Sequence, residues 1–371
     1  MINHKYSPVD KHIRTCIQRV ATGPELSKNL TRSDAADAMR GILEGRVDPV
    51  QAAIFLIALR MKRETDDENA GILDGLLDHT CSESIDIPDL VEISDPYNGF
   101  VRGTPASSFL PAVLAALDIP AVVTGVEAAG PKYGVTHHKI LKSAGHKVLL
   151  NPANVTKRIA NPECGWGYLD QSESNSALFG LIDLRERMVK RTVITTLEVL
   201  IHPLRAKQTH LMTGFVHKPY PPRYVRLANQ AGYASAMIVR GVEGGITPSL
   251  SQPSRYVRYD SNTEYEECRL DPAEMDIQQT VRMAPLPAGA QLLSDDDQLL
   301  GSINVDQVAN EAAELGKKAL QGKQGAVRDS LVYAASICLI HLGREKDFAE
   351  AAGRVRNVLD NGSALARFTI Y

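Results

Sequence analysis

Nowhere in this chain do apolar residues run for the ~18 positions that a membrane-crossing helix needs. The opening Met-Ile-Asn-His-Lys also lacks the apolar core of a secretory signal, so the expected location is the cytoplasm. Cysteine is scarce. Cys16, Cys81, Cys164, Cys268 and Cys338 are odd in number and far apart, which excludes a disulfide framework and fits reduced thiols. No metal-site spacing occurs among them. Cys164, beside Gly165 and Trp166, is either a reactive thiol or a buried, inert one. Charge of one sign is missing as well: 41 Lys and Arg against 44 Asp and Glu leave a net charge of -3. That balance gives no global pull toward nucleic acid and leaves only a local basic patch open. Internal repeats and low-complexity segments are absent.

What is present suits an ordinary globular protein with a large core, since 371 residues at 44% hydrophobic and 23% charged divide naturally into two domains. Ala35 to Asp78 predicts three consecutive amphipathic helices. Ala35, Ala38, Met39, Ile42 and Leu43 fall at helical spacing, and Gly45 followed by Asp48-Pro49 ends one helix and starts the next. Ala52 to Leu59 then predicts a buried helix. Thr65-Asp66-Asp67-Glu68 supplies a Thr cap with a Glu at its third position, ahead of Ile72, Leu73, Leu76 and Leu77.

Beyond this opening, Val91-Glu92-Ile93 and Ala121-Val122-Val123 are β-branched runs that bracket the helical stretch Ser107 to Leu117, a β-α-β pattern implying parallel strands. Val155 to Met188 has no strand run and is expected to return to helix. Strand character resumes at Thr192-Val193-Ile194, at His210 to Val216 and at Ala234 to Val239, the last followed by Gly241 and Gly244-Gly245. A ligand-facing loop after a strand end fits that arrangement. Ser249 to Leu293 is polar and aromatic and reads as short antiparallel strands or a long loop. Val305 to Leu320 and Gln324 to Leu342 read as closing helices.

The helical opening, ending in Lys62-Arg63-Glu64-Thr65, resembles the N-terminal domain of the anthranilate phosphoribosyltransferase family, where a Lys-Gly-Glu-Thr turn stands and Arg63 replaces the Gly. The resemblance extends in order over nearly the whole chain. It implies an α/β fold with a small all-helical domain and a larger mixed, mainly parallel sheet flanked by helices. The helical domain would comprise residues 1-88 with a returning segment at about 155-190, and the α/β domain residues 89-154 and 191-371. It also implies a homodimer paired through the helical domains.

In that family a Gly-Thr-Gly-Gly-Asp loop and an Asn-x-Ser-Thr helix start hold phosphoribosyl pyrophosphate, because small residues let N–H groups approach the anion and hydroxyls at a helix start add donors. The corresponding segment runs from Ser94 to Ser108. Ser107 and Ser108 match the Ser-Thr pair and Gly103-Thr104 keeps the loop small, while Asp95, Pro96 and Tyr97 replace two Gly and a Thr, and Pro105 replaces the Asn. Arg102 supplies charge instead. Apart from the resemblance, this is a strand, a Pro/Gly turn and a Ser-capped helix.

A second family loop, Lys-His-Gly-Asn-Arg, corresponds to Thr124 through Lys139. Here Thr136 is a helix cap with Lys139 at its third position, and Lys132, His137, His138 and Lys139 form a partly electropositive turn, alternatively a solvated surface turn. The adjacent His pair is no metal site, because neighbouring side chains on a helix diverge.

The family's magnesium-holding Asp-Glu pair corresponds to Ile246 and Thr247, which leaves Glu243 as the loop's carboxylate, serving a metal, a ribose hydroxyl or a salt bridge with Arg240. Magnesium is therefore a doubtful cofactor here. Arg185 falls where the family binds the anthranilate carboxylate, a role suited to a bidentate guanidinium; the alternative is a solvated basic helix end. In Thr195 to Leu204, His202 replaces a family Gly.

Taken together, the resemblance implies a glycosyltransferase scaffold that binds a phosphorylated ribose or another anion through Arg102, Gly103, Thr104, Ser107, Ser108, Thr136, Lys139, Arg185 and Glu243, with phosphoribosyl transfer altered or lost. The alternative is a non-catalytic homodimer on the same scaffold that senses a ligand or binds nucleic acid through Arg185, Arg187, Lys190, Arg191, Lys139 and Lys142.

Overall fold

A computed structural model describes residues 8–23, 25–260, 263–291 and 303–370; the first five residues, read above for a signal, lie outside them. Four helices open the fold, α1 (Pro8–Val20), α2 (Arg32–Leu43), α3 (Pro49–Lys62) and α4 (Asp66–Asp78). The boundaries expected between α2, α3 and α4 hold, whereas α1 was not read from the sequence. Asp48 caps α3 with Pro49 in its first turn, and Thr65 and Glu68 form the reciprocal capping box of α4. Glu68 is fully buried, and it also accepts the Leu30 N–H at 2.8 Å and the Lys62 ammonium at 2.7 Å, so one carboxylate ties three segments of the bundle together.

Arg63, which stands where the family turn has Gly, ends α3 at φ 67° and ψ 109°. The turn keeps a glycine-type backbone although the glycine is gone, a conformation that costs an L-residue with a Cβ.

Among the described residues nine strands follow: β1 (Glu83–Ser84), β2 (Asp89–Ser94), β3 (Ala121–Gly125), β4 (Trp166–Asp170), β5 (Leu204–Arg205), β6 (Gln208–Gly214), β7 (Ser235–Val239), β8 (Ser254–Asp260) and β9 (Thr263–Leu270). β1 and β5 make a small parallel pair. The others form one sheet in the order β4-β3-β2-β6-β7-β8-β9. Its first five strands are parallel, in a register that aligns Ile93 with Val123 on one side and with Met212 on the other. β8 and β9 continue it as an antiparallel hairpin, one of the two arrangements expected for that polar stretch.

The chain runs from β2 outward through β3 to β4, then returns beside β2 with β6 and runs outward the other way. The switch point thus lies between the carboxyl ends of β2 and β6, where open α/β sheets place their ligands. Helices α5 (Leu110–Ala116), α6 (His137–Ser143) and α7 (Pro152–Ala160) belong to the first half of the sheet. Short α8 (Gln171–Ser174), α9 (Ser176–Phe179), α10 (Ile182–Met188) and α11 (Ile194–Leu197) follow β4. α12 (Tyr220–Ala231) connects β6 to β7, and α13 (Val305–Leu320), α14 (Ala326–His341), α15 (Phe348–Asp360) and α16 (Ser363–Thr369) close the chain.

One face of the sheet packs Met212, Met237 and Val239 against the closing helices, while Leu211, Ala236 and Ile238 on the other face share a core with the opening bundle and α12. The alternating residues of buried strands thus serve two separate helical layers.

Two expectations are corrected. Val155 to Met188 is not helical throughout: Trp166 to Asp170 is a fully buried strand paired with β3. It carries no Val or Ile, and its strand character comes from Trp166 and Tyr168, which favour a pleated surface. Conversely, Thr192-Val193-Ile194 is no strand; Ile194 starts the short α11, and Val193 and Ile194 are buried in the bundle-side core.

Candidate active-site cleft

The loop that leaves β2 carries the first part of the site. Asp95, buried, accepts the Ser107 hydroxyl and the Ile246 N–H, the latter at 2.7 Å, and lies 3.2 Å from His137 Nε2. Ser108 Oγ and His137 Nδ1 are 2.8 Å apart. Both serines of the Ser-Thr-like pair are therefore engaged by the chain itself. The residue replacing the first Gly of the phosphate loop has put a carboxylate where the Ser107 donor points.

Further along, Phe100 bridges to Val135, and the N–H groups of Val101 and Arg102 donate to the Glu243 carboxylate, at 3.2 Å to Oε2 from Val101 and 2.6 Å to Oε1 from Arg102. Lys132 Nζ completes this contact at 2.5 Å. Glu243 thus pairs with Lys132, and the salt bridge considered with Arg240 is not formed. Burial lowers the Lys132 pKa, and the adjacent Glu243 opposes that shift.

Glu243 sits in a tight turn after β7 that glycine alone permits. A Cβ on Gly241 would stand 1.7 Å from the Gly245 carbonyl oxygen, and one on Gly214 would stand 2.1 Å from that of Gly244. Ile246 is wholly buried in the core, and the Thr247 carbonyl accepts the Val242 N–H.

Between these loops opens a cavity of about 1190 Å³. Arg102 and Lys132 border it from the β2 and β3 side, His217 and Arg240 from beyond β6 and β7, Arg282 from the segment after the hairpin, and Arg191 from the stretch between α10 and α11. Glu243 is the one carboxylate among its described lining residues. Among the described residues, the side chains of Arg102, Arg191, Arg240 and Arg282 form no ion pair. Burial, and then repulsion from Arg60, lowers the Arg191 pKa, against a smaller opposing attraction from Glu243.

The other expected site residues lie around this cavity rather than on it. Thr104 is held by Pro285 O through its hydroxyl at 2.7 Å and by Ala284 O through its N–H at 2.8 Å, and Gly103 packs against Met283. Thr136 caps α6 and donates to Glu127 O, and Lys139 faces Asp306 of α13 at 3.6 Å. The turn from Lys132 to Lys139 is no solvated surface: Lys132, His137 and His138 are buried, and His138 is tied to Asp170 at 2.8 Å.

Arg185, buried in α10, makes a two-pronged pair with buried Glu198, so it is no solvated helix end either. The segment between α10 and α11 does reach the cavity, through Arg191, six positions further on. Lys132, Arg191 and Arg240 were visible in the sequence as basic residues beside glycines or helix ends, but no spacing separated them from surface charge. Asp95 and His137 were read only as a glycine replacement and as part of a basic turn, and His217 and Arg282 carried no signal.

The comparisons with known proteins agree with this architecture. Residues 14–80 match the family described as the helical bundle domain of a glycosyl transferase family. The chain is 27% identical over 357 residues to the anthranilate phosphoribosyltransferase of Bradyrhizobium diazoefficiens, covering 96% of each chain. It is 24% identical over 336 residues to an uncharacterized protein of Aquifex aeolicus, covering 88% of this chain and 93% of that one. Two solved structures share its fold. Anthranilate phosphoribosyltransferase from Thermus thermophilus superposes with a TM-score of 0.74 at 20% identity, covering 96% of this chain and 97% of its own. The Saccharomyces cerevisiae enzyme in complex with PRPP and Mg superposes with a TM-score of 0.75 at 16% identity, covering 96% of each.

Proposed function

We propose, since this chain belongs to the anthranilate phosphoribosyltransferase family as a divergent member, that it binds a phosphorylated ribose or a similar small anion in the cleft between its helical bundle and its sheet, with phosphoribosyl transfer altered or lost. One observation carries the reading: the cavity gathers Arg102, Lys132, Arg191, Arg240 and Arg282 around a single carboxylate. Guanidinium groups present forked donors to phosphate, and a cluster with so little internal neutralisation favours an anionic guest. Its place at the carboxyl ends of β2 and β6 is where such sheets bind ligands.

Transfer of the sugar in this family also calls for magnesium, and the residues present do not fit it. Both Glu243 oxygens are spent on Lys132 and two backbone N–H groups. Asp95 is likewise turned inward to Ser107 and Ile246. With Ile246 and Thr247 where the family's acid pair stands, and the nearby carboxylates of Glu243 and Asp95 already engaged, the binding proposed is metal-independent.

Calorimetry with phosphoribosyl pyrophosphate, with and without magnesium, tests the reading. Heat of binding that is equal in both and weakened in Arg191→Ala is the expected result; no heat in either condition sinks it.

A ligand-sensing homodimer is the second reading. Val50, Ile54 and Met61, at helical spacing along α3, are 66%, 41% and 75% exposed. They form an apolar stripe opposite the buried Ala52, Phe55, Leu56 and Leu59, and the family pairs through its helical domain. The basic residues considered for nucleic acid lend less: Arg187 pairs with Asp183, Lys139 with Asp306, and Arg185 is sealed.

A further inference from the structure

We infer that the Glu243 carboxylate is a resident stand-in for a ligand phosphate: the N–H groups of Val101 and Arg102 and the ammonium of Lys132 form a phosphate subsite, and Glu243 vacates it when a phosphate group arrives. This rests on the reading of the cavity as an anion site and specifies where in it one phosphate sits.

Two consecutive backbone N–H groups converging on one anion form a concavity suited to phosphate oxygens, and here they converge on a side-chain carboxylate. The ammonium of Lys132 meets the same group at 2.5 Å. Lys132 is buried and reaches over the Phe100 ring at 5.5 Å, which fixes its head toward the subsite with few alternatives.

A carboxylate brings one charge and two oxygens to these donors. A phosphate ester brings nearly two charges and three oxygens, and its extra charge strengthens the attraction to Arg102 and Arg191, with neither of which Glu243 forms an ion pair. The exchange therefore favours the ligand. Glu243 is also held against its own backbone preference, at φ 55°, in a turn flanked by Gly241 and Gly244. The adjoining cavity of about 1190 Å³ has room for the displaced side chain.

The full-length chain is titrated with inorganic pyrophosphate in magnesium-free buffer, as the native protein and as the Glu243→Gln, Lys132→Met and Arg191→Ala variants, while the Val101 and Arg102 amide resonances of the native protein are followed in parallel. Glu243→Gln keeps the side chain's shape and removes its charge, so it binds roughly tenfold more tightly than native, while Lys132→Met binds more weakly. Both amide resonances shift on titration. Binding by the native chain that is weakened in Arg191→Ala but is unchanged or weaker in Glu243→Gln overturns the stand-in role and leaves the anion reading intact. Binding without movement of the two amides does the same, and it decides the matter should the Gln variant not fold. Absence of binding in the native chain and the Gln variant alike overturns both.

Discussion

Arg185 and Glu198 meet in a two-pronged pair, Nη1 to Oε2 at 2.7 Å and Nη2 to Oε1 at 2.8 Å, with side chains only 4% and 0% exposed. Gln171 approaches the same carboxylate at 3.4 Å. The guanidinium expected to receive a substrate carboxylate is thus already satisfied by one of the protein's own. Arg185→Ala strands a buried carboxylate and is expected to cost about 3–5 kcal/mol of stability in urea unfolding. Replacing both partners, as Arg185→Met with Glu198→Leu, is expected to recover most of it. A single variant as stable as the native chain would show that the pair holds nothing together.

Arg191 and Arg240 line the cavity without a carboxylate partner among the described residues, so truncating them removes attraction without exposing a buried anion. Arg191→Ala and Arg240→Ala are each expected to weaken phosphoribosyl pyrophosphate binding by about tenfold with little change in unfolding midpoint. Salt separates the readings. Binding along a nucleic-acid backbone collapses steeply between low and moderate salt, whereas a small anion in this cavity weakens gently.

Burial pulls His146 and His202 down to about 4 and His341 to about 3, so each is neutral in the fold near neutral pH. Their unfolded value is about 6.5. With the folded values depressed, protonation favours the unfolded chain: this stability is fully present above about pH 6.5 and drains away as pH falls toward 4. Melting temperatures are expected to be level from pH 8 to 7 and to fall steeply below 6. A flat profile down to pH 4 would contradict the assignment.

Arg63 holds a backbone conformation that suits glycine, at the end of α3. Arg63→Gly relieves that strain and is expected to stabilise the chain by roughly 0.5–1 kcal/mol, although glycine's freedom in the unfolded chain offsets part of the gain. The urea midpoint measures it.

Ile54 and Met61 are exposed on the outer face of α3. Ile54→Lys with Met61→Lys is expected to leave the fold intact and to shift the protein from dimer to monomer in sedimentation equilibrium. A native chain that sediments as a monomer at every concentration removes the dimer.

Helices α2 to α4 of the opening bundle were legible because each of their boundaries is a local event. Asp48-Pro49 and Thr65 with Glu68 decide helix ends within a few residues, and the period of Ala35 to Leu43 decides which face is buried. β2, β3 and β7 announced themselves through β-branched runs. β4 did not, since its five residues include no β-branched run, and Val193-Ile194 misled because an apolar run carries no period when a helix is only one turn long.

The amino-acid sequence by itself determined the capped helices α2 to α4, the parallel β-α-β start and the glycine turn that follows β7, all of which follow from short-range sterics and hydrophobic period, while the layered scaffold as a whole was implied by the family resemblance. Only the tertiary structure decided which charges answer which. Glu243 lies 111 positions from Lys132 and 141 from Arg102, and Asp95 lies 151 from Ile246. Coulomb attraction and hydrogen bonding act across ångströms of space, and the distance along the chain between two such groups carries no trace of them until the sheet has brought its strand ends together.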